Sequence, residues 1–169
     1  MHLSTGFIGT RFLLPALCKC QMSKEAYDIF LSEDYPGWLH EVKLGATSIW
    51  ERWDSLDKNG RISPTDMNSL NHYAYGCVAG WMYEYICGFR FDKEGNLFLA
   101  PIPDPRLGYA KGKISTYQGT YKMKWKYKTH THLHLQVSVP FQTTLPIYLP
   151  NGNQLIAHCG ENHFDVVLS

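Results

Sequence analysis

The sequence predicts an α+β fold in which a helical first half is followed by a β-rich second half. Before about residue 90, apolar residues recur at helical spacing and are separated by loops. After that point, short segments of alternating apolar and polar residues are divided by Gly, Pro and Asn. This change of pattern predicts two domains, at residues 1–90 and 91–169.

The first two helices are predicted from their apolar stripes. Residues 8–20 place apolar side chains at positions 8, 12, 13, 16 and 17. A second helix over residues 23–32 begins at Ser23, a good N-cap, and has Glu25 in its first turn, where the helix dipole favours a negative charge. The short connection between them predicts an αα-hairpin.

The segment that follows is predicted to be mostly irregular. Pro36 and Gly37 end the helical pattern, and residues 35–64 show no long helical period. A long loop in a folded domain is usually functional or disordered, and the tryptophans of this stretch argue against disorder. A third long helix is predicted over residues 67–88, ending at Gly88.

The second half is predicted to contain seven short strands, which suggests a β-sandwich. The alternation is clearest in residues 130–139. The predicted strands cover residues 97–102, 106–114, 117–127, 131–139, 144–149, 153–158 and 162–168.

Composition excludes several classes of function. The formal net charge of +1 gives no electrostatic basis for binding nucleic acid or an anionic membrane. No apolar run approaches the ~20 residues that span a bilayer. The first residues lack the pattern of a signal peptide, which leaves the compartment of the parent protein undetermined between cytoplasmic and exported. Five cysteines, an odd number, do not indicate a disulfide framework.

Glu51 is the strongest candidate for a reactive side chain. It lies in the segment Ala-Thr-Ser-Ile-Trp-Glu-Arg-Trp at 46–53, between Trp50 and Trp53 and beside Arg52. Carboxylates against aromatic rings suit the hydrolysis of sugars, because the rings contact the apolar faces of a pyranose. The alternative is an Arg52–Glu51 surface pair with the two tryptophans filling a core.

Histidines supply two weaker candidates. Asn68, Asn71 and His72 open the predicted third helix, where they could contact a ligand or simply cap the helix. His130, His132 and His134 lie on one face of a predicted strand; alternate histidines can bind zinc, but a solvent-facing strand gives the same pattern. We therefore predict no metal site and no cofactor.

Four segments occurring in order resemble the bacterial α-L-rhamnosidases of glycoside hydrolase family 78. They are residues 5–17, 35–39, 45–53 and 67–76, and the resemblance is specific from about residue 4 to 88. It continues more loosely through residues 137–150, which are similar to the closing β-domain of that family.

The resemblance implies the last helices of an (α/α)6 barrel followed by an antiparallel β-sandwich. It also implies hydrolysis of terminal α-L-rhamnosides with inversion and without a metal cofactor. By resemblance, Glu51 matches the general base, Trp50 and Trp53 match the aromatic wall of the site, and His72 matches a histidine that contacts the sugar.

One feature of the family is absent from the sequence. The acidic segment that carries the general acid has no counterpart here, and three helices cannot close a twelve-helix barrel. The expected partners are therefore rhamnose-containing glycosides and the missing N-terminal part of the same enzyme, and the chain alone is expected to be inactive. The alternative is a non-catalytic carbohydrate-binding or interaction module.

Overall fold

The structure is a computed structural model that describes residues 3–57, 59–64 and 67–168. The chain divides into two compact units, Met1–Trp81 and Met82–Ser169. The first unit is helical and irregular, and the second is dominated by a β-sheet, which confirms the mixed α+β class.

The first unit begins with the predicted helical hairpin. Helix α1 spans Phe7–Lys19 and α2 spans Ser23–Phe30, so both helices are confirmed close to their predicted bounds. The hairpin packs through apolar side chains, with Leu14 on α1 and Ala26 on α2 at 1% and 0% exposure. A short helix that the sequence analysis did not predict, α3 at Trp38–Lys43, lies in the stretch expected to be irregular.

The predicted third long helix is wrong over its first part. Residues 67–73 are not helical; a 3-10 turn covers Ala74–Cys77, helix α4 covers Val78–Trp81, and a π-helical turn covers Met82–Ile86. The reason is that backbone groups of Ser69 and His72 form hydrogen bonds with residues 49–51 and not within their own segment. A helix needs those groups for its internal ladder.

Among its described residues, the second unit contains six strands in one connected sheet, where seven were predicted. They are β1 (Phe89–Phe91), β2 (Leu97–Leu99), β3 (Tyr109–Thr116), β4 (Gly119–Tyr127), β5 (His132–Tyr148) and β6 (Gln154–Val167). The order is β1-β2-β5-β4-β3, and β6 pairs with β5. Among the described residues, β2 and β5 pair in parallel at Leu99 and Ile147, which departs from the expected antiparallel arrangement.

Four predicted strands merge into two long ones. Strand β5 covers the predicted strands at 131–139 and 144–149, and β6 covers those at 153–158 and 162–168. An irregularity between Val139 and Thr144 interrupts the pairing without ending the strands. Gln142 and Gly160 have positive φ angles of 60° and 97°, which local backbone bending requires. Polar residues there look like strand ends in the sequence.

The core of the second unit lies on one face of the sheet. In β4, Tyr121, Met123 and Trp125 are buried, while the residues between them are exposed lysines. Strand β5 alternates in the same way, with Leu133 and Leu135 at 0% exposure. This alternation is the pattern of a sheet that buries one face and leaves the other in water. No helix within the described ranges is long and apolar enough to cross a membrane.

Candidate active site

The backbone around Glu51 is fixed by hydrogen bonds to a second segment. The Glu51 N–H donates to the carbonyl oxygen of Ser69 at 2.8 Å, and the His72 N–H donates to that of Ile49 at 2.8 Å. The two segments therefore run side by side like a short ladder, although they are not assigned as strands. This pairing brings the predicted residues Glu51 and His72 into the same part of the unit.

Glu51 lines an open hollow of about 530 Å³ on the first unit. Its side chain is half-buried. Trp53 lines the same hollow, and the remaining lining residues are Gly6, Phe7, Tyr35, Arg52, Asp54, Met67 and Tyr75. A carboxylate with aromatic rings around a hollow is the combination that the sequence predicted at Glu51.

The aromatic wall is built on Trp53 and Tyr75. Their rings stack with centroids 3.8 Å apart and planes 17° apart. Trp38 packs edge-on against Trp53 at 5.2 Å, and its indole N–H donates to the Tyr75 carbonyl oxygen at 3.0 Å. The Trp53 indole N–H reaches the Thr5 carbonyl oxygen at 3.3 Å. Both indole donors are satisfied, so the apolar faces are left for packing or for a ligand.

Arg52 pairs with Asp54 and not with Glu51. Its Nε donates to Asp54 Oδ1 at 2.9 Å and its Nη2 donates to Oδ2 at 3.2 Å. This two-pronged contact, together with the positive charge, holds the pKa of Asp54 below its ordinary value. The alternative of an Arg52–Glu51 surface pair is therefore wrong, and Arg52 leaves the Glu51 carboxylate available at the hollow.

His72 lies beside the hollow and does not line it. Its ring stacks on Phe7, a lining residue, with centroids 5.0 Å apart, and on Tyr73 at the same distance. The Ala74 N–H donates to His72 Nδ1 at 3.2 Å, so the neutral ring carries its proton on Nε2. The Nε2–H of His72 is therefore not involved in the hydrogen bond with the Ala74 backbone. Its predicted position at the opening of a helix is wrong, because residues 67–73 are not helical.

The two asparagines predicted beside His72 have local roles. Asn68 Nδ2 donates to the Ser55 carbonyl oxygen at 3.0 Å, and the Asn71 N–H donates to Ser69 Oγ at 3.1 Å. The first bond joins two segments that are thirteen residues apart, and the second is a local turn. They take the place of the helix capping that the sequence suggested.

Trp50 is buried and does not line the hollow. Its side chain is 2% exposed, and its backbone N–H donates to the carboxyl group of Glu41. Trp53, by contrast, is 8% exposed and lines the hollow. The structure therefore brings Glu51 and Trp53 to one cavity, with His72 next to it and Trp50 beneath the surface.

Glu41 is a buried acid that the sequence analysis missed. It is 2% exposed, and its Oε1 has no hydrogen-bond partner within the part of the chain that the structure describes. Burial raises its pKa to about 8, and the hydrogen bond from Trp50 opposes that shift. The helical spacing of Trp38 and Glu41 on α3 places them on one face, which was the available signal.

The alternate histidines of the second unit face different partners. His132 Nδ1 lies 2.9 Å from Thr129 Oγ1, whereas His134 Nδ1 lies 2.8 Å from Asp165 Oδ1. Over residues 3–57, 59–64 and 67–168, no three His, Cys, Asp or Glu side chains gather in a way that could hold a metal ion. His132 and His134 lie on the solvent side of the sheet, opposite Val167 and Asp165 of β6.

Two family models match this chain. The model of the bacterial alpha-L-rhamnosidase 6 hairpin glycosidase domain matches residues 1–86. The chain belongs to the bacterial α-L-rhamnosidase family. The model of the family's C-terminal domain matches residues 95–163, so the rhamnosidase resemblance is confirmed in both halves of the chain.

Individual relatives agree with this assignment. An α-L-rhamnosidase of Formosa agariphila is 41% identical over 154 residues, which are 90% of this chain and 16% of that protein. An α-L-rhamnosidase of Streptomyces avermitilis is 35% identical over 151 residues, which are 88% of this chain and 15% of that protein. The chain therefore corresponds to a small part of each rhamnosidase that it matches.

Solved rhamnosidase structures share the fold. The native enzyme from Aspergillus terreus superimposes with a TM-score of 0.91 at 33% identity, covering 98% of this chain and 20% of that one. The Streptomyces avermitilis enzyme, solved with L-rhamnose, gives a TM-score of 0.85 at 30% identity and covers 98% and 18%. This chain thus corresponds to part of the architecture found in these larger enzymes.

Proposed function

We propose that this chain supplies the last barrel helices and the closing β-sandwich of an α-L-rhamnosidase that hydrolyses terminal α-L-rhamnosides with inversion. In this proposal residues 1–90 belong to the (α/α)6 catalytic barrel and residues 91–169 to the β-domain. The observation that carries the proposal is Glu51 on the wall of the hollow, next to the stacked pair Trp53 and Tyr75.

Glu51 acts as the general base in the proposed reaction. Inverting hydrolysis needs one carboxylate that removes a proton from water and one carboxylic acid that protonates the leaving oxygen, ~6.5–9.5 Å apart. Glu51 is suited to the first role because the guanidinium of Arg52 is hydrogen-bonded to Asp54 and leaves the Glu51 carboxylate at the hollow. Water activated by Glu51 attacks the anomeric carbon from the side opposite the leaving group, which inverts the configuration.

The aromatic residues and His72 hold the sugar. Trp53 and Tyr75 offer apolar surface to the C–H face and the methyl group of rhamnose, and His72 Nε2–H can donate to a sugar hydroxyl. The proposal also includes Trp50 in the aromatic wall of the site. Because it is 2% exposed here, it must gain exposure in the complete enzyme to touch a sugar.

The general acid is expected to come from the N-terminal part of the same enzyme. Glu51 and Asp54 are the carboxylates among the described residues that line the hollow, and Asp54 is unsuited to the acid role. Its pKa is lowered by Arg52, so it is ionised at the pH at which an acid must hold its proton.

The exposed apolar side chains Ile8 and Phe12 of α1, at 82% and 60% exposure, are natural contacts for the missing helices.

The test is a chimera in which this chain replaces the matching C-terminal segment of the Streptomyces avermitilis relative. Glu51→Gln should lower turnover of an aryl α-L-rhamnoside by roughly 10²–10⁴-fold, because a positioned base contributes that much. Glu33→Gln is the matched control, since Glu33 is a half-exposed acid paired with Lys43 away from the hollow. Nuclear magnetic resonance of the first product should show the β-anomer of rhamnose.

Two results would contradict this proposal. The first is normal turnover by the folded Glu51→Gln chimera, which would remove Glu51 from the reaction. The second is robust hydrolysis by the isolated 169-residue chain, which would show that the acid lies within it.

A second candidate function is a carbohydrate-binding module without catalysis. The observation that favours it is the same lack of a second free acid at the hollow among the described residues. In that case L-rhamnose should quench the tryptophan fluorescence of the isolated chain saturably without being released from any glycoside. Absence of quenching together with an active chimera would reject the module.

A further inference from the structure

Four lysines form a compact group on the solvent face of the sheet. Lys111 and Lys113 lie on β3, and Lys122 and Lys124 lie on β4. In the register of the two strands, Lys111 is directly opposite Lys124 and Lys113 is directly opposite Lys122. Directly opposite Cβ atoms are ~5 Å apart, and alternate residues of a strand are ~7 Å apart. The four side chains therefore rise from the corners of a small rectangle, here called the lysine face.

The lysine face is electrostatically unfavourable for folding. Like charges directly opposite each other on neighbouring strands destabilise a sheet. Within the described part of the chain, none of the four lysines forms an ion pair or a side-chain hydrogen bond. A lysine nearby does find a partner, since Lys128 Nζ lies 2.7 Å from Asp165. Sixteen basic and fifteen acidic residues leave the chain nearly neutral, so this concentration of charge is local.

The lysine face borders a groove of about 530 Å³ that also contains neutral polar groups and one aromatic ring. Gln136 and Ser138 of β5 continue the two rows of lysines across the sheet, and Tyr83, 47% exposed, completes the lining with Gly112, Met123 and Glu161. Glu161 on β6 is opposite Ser138, at the far side of the groove from β3. The groove is thus positive on the β3–β4 side and negative beyond β5.

We propose that the lysine face binds an anionic glycan, a polysaccharide that carries sulfate or carboxylate groups. The unpaired ammonium groups supply the charge complementarity, and a bound anion would relieve their mutual repulsion. Tyr83 offers a ring face to a pyranose, and Gln136 and Ser138 offer hydrogen bonds to its hydroxyl groups. Because Glu161 repels anions on the far side, the glycan lies along β3 and β4 and not across the sheet. The lysine face shares no lining residue with the hollow at Glu51, and binding there does not depend on hydrolysis.

Binding of defined polymers to the full 169-residue chain tests this proposal. Dextran sulfate should bind, neutral dextran of the same length should not, and raising the salt from 50 to 300 mM should weaken binding by tenfold or more because exposed charges are screened. The variant Lys122→Gln/Lys124→Gln should weaken dextran sulfate binding by at least tenfold. Its unfolding midpoint should stay equal or rise, because the substitutions remove repulsion.

Two controls separate a glycan site from a general attraction between charges. Lys19→Gln/Lys93→Gln removes the same charge elsewhere and should leave binding within twofold. Tyr83→Ala should weaken binding of dextran sulfate but not of polyglutamate, which has charge and no sugar rings. Equal weakening by both lysine pairs would overturn the proposal, as would tighter binding of polyglutamate, duplex DNA or phosphatidylserine vesicles than of dextran sulfate.

Discussion

Trp125 of the sheet unit and Trp53 of the helical unit are placed in contrasting ways. In the sheet unit, Trp125 is 0% exposed, and its indole N–H donates to the Ile86 carbonyl oxygen at 2.8 Å. In the helical unit, Trp53 stacks on Tyr75 and lines an open hollow, with a longer bond of 3.3 Å to Thr5. The sheet unit uses its ring to close a core, whereas the helical unit leaves ring surface at a cavity. A unit that keeps an open hollow beside its aromatic side chains gives up part of the packing that stabilises a closed core.

The largest loss of stability is expected for a substitution at Gly88 of the sheet unit. Gly88 has a φ of +84°, and a Cβ there would lie 2.3 Å from the backbone nitrogen of Pro101. Gly88→Ala should therefore cost about 2–5 kcal/mol, from the left-handed conformation and from the overlap with backbone atoms. Urea unfolding followed by far-UV circular dichroism measures this loss.

Gly95 is the matched control, because it has the same φ of +84° with nothing within 4 Å of a built Cβ. Gly95→Ala should cost only the conformational part, about 1–2 kcal/mol. Equal losses of stability at the two glycines would show that the close approach of Gly88 to Pro101 does not contribute to the cost of Gly88→Ala.

Replacing one tryptophan by phenylalanine in each unit should give the next largest difference in the free energy of unfolding. Trp125→Phe shrinks a fully enclosed indole to a phenyl ring, which leaves a cavity and removes the hydrogen bond to the Ile86 carbonyl oxygen, so we expect a loss of about 2–3 kcal/mol. Trp53→Phe keeps an aromatic ring against Tyr75 at an open cavity and should cost about 1 kcal/mol. Chemical denaturation of both variants measures the two values, and a larger loss at Trp53 would reverse the contrast drawn between the units.

The smallest effect, taken per pH unit, is the dependence of stability on pH through Glu41 of the helical unit. Burial raises the folded-state pKa of Glu41 to about 8, above the ordinary value of 4.5, so the folded chain holds a proton that the unfolded chain releases. The stabilising contribution is complete below about pH 4.5 and is lost as the pH rises through 8. The free energy of unfolding should fall across this range by less than about 1.4 kcal/mol per pH unit, the limit for one proton.

Glu41→Gln should flatten this dependence, since an amide does not titrate. Glu33→Gln, at a half-exposed acid, should leave it unchanged. Tryptophan fluorescence during urea unfolding at pH 5 to 8 gives the slopes. An unchanged slope in Glu41→Gln would mean that another group holds the proton.

Sequence patterns predicted those elements whose structure depends on near neighbours. Helices α1 and α2 follow from apolar residues three and four positions apart, and strand β4 follows from alternation. The helix prediction for residues 67–73 failed because their backbone forms hydrogen bonds with residues 49–51. Such bonds depend on tertiary structure and leave no local pattern in the sequence. Strands β5 and β6 were divided wrongly because a bulge interrupts the alternation without ending the ladder.

The candidate site was predicted in part for the same reason. Trp53 and Glu51 are two positions apart, so an extended backbone puts them on one face, and both line the hollow. The contribution of Tyr75 and the pairing of Arg52 with Asp54 depend on how distant or competing groups meet in space. The hydrogen bond that Glu41 accepts from the Trp50 N–H likewise joins residues nine positions apart in the chain.

The long ribbon of β5 and β6 has a consequence for the order of assembly of the sheet unit. Its pairing starts beside a tight turn, from Tyr148 opposite Gln154, and extends outward along the chain. Contacts between residues close in sequence cost little loop-closure entropy, so this ribbon can form early. The parallel pair of Leu99 with Ile147 closes a much longer loop. We therefore expect β2 to join late, on a ribbon that already presents its apolar face.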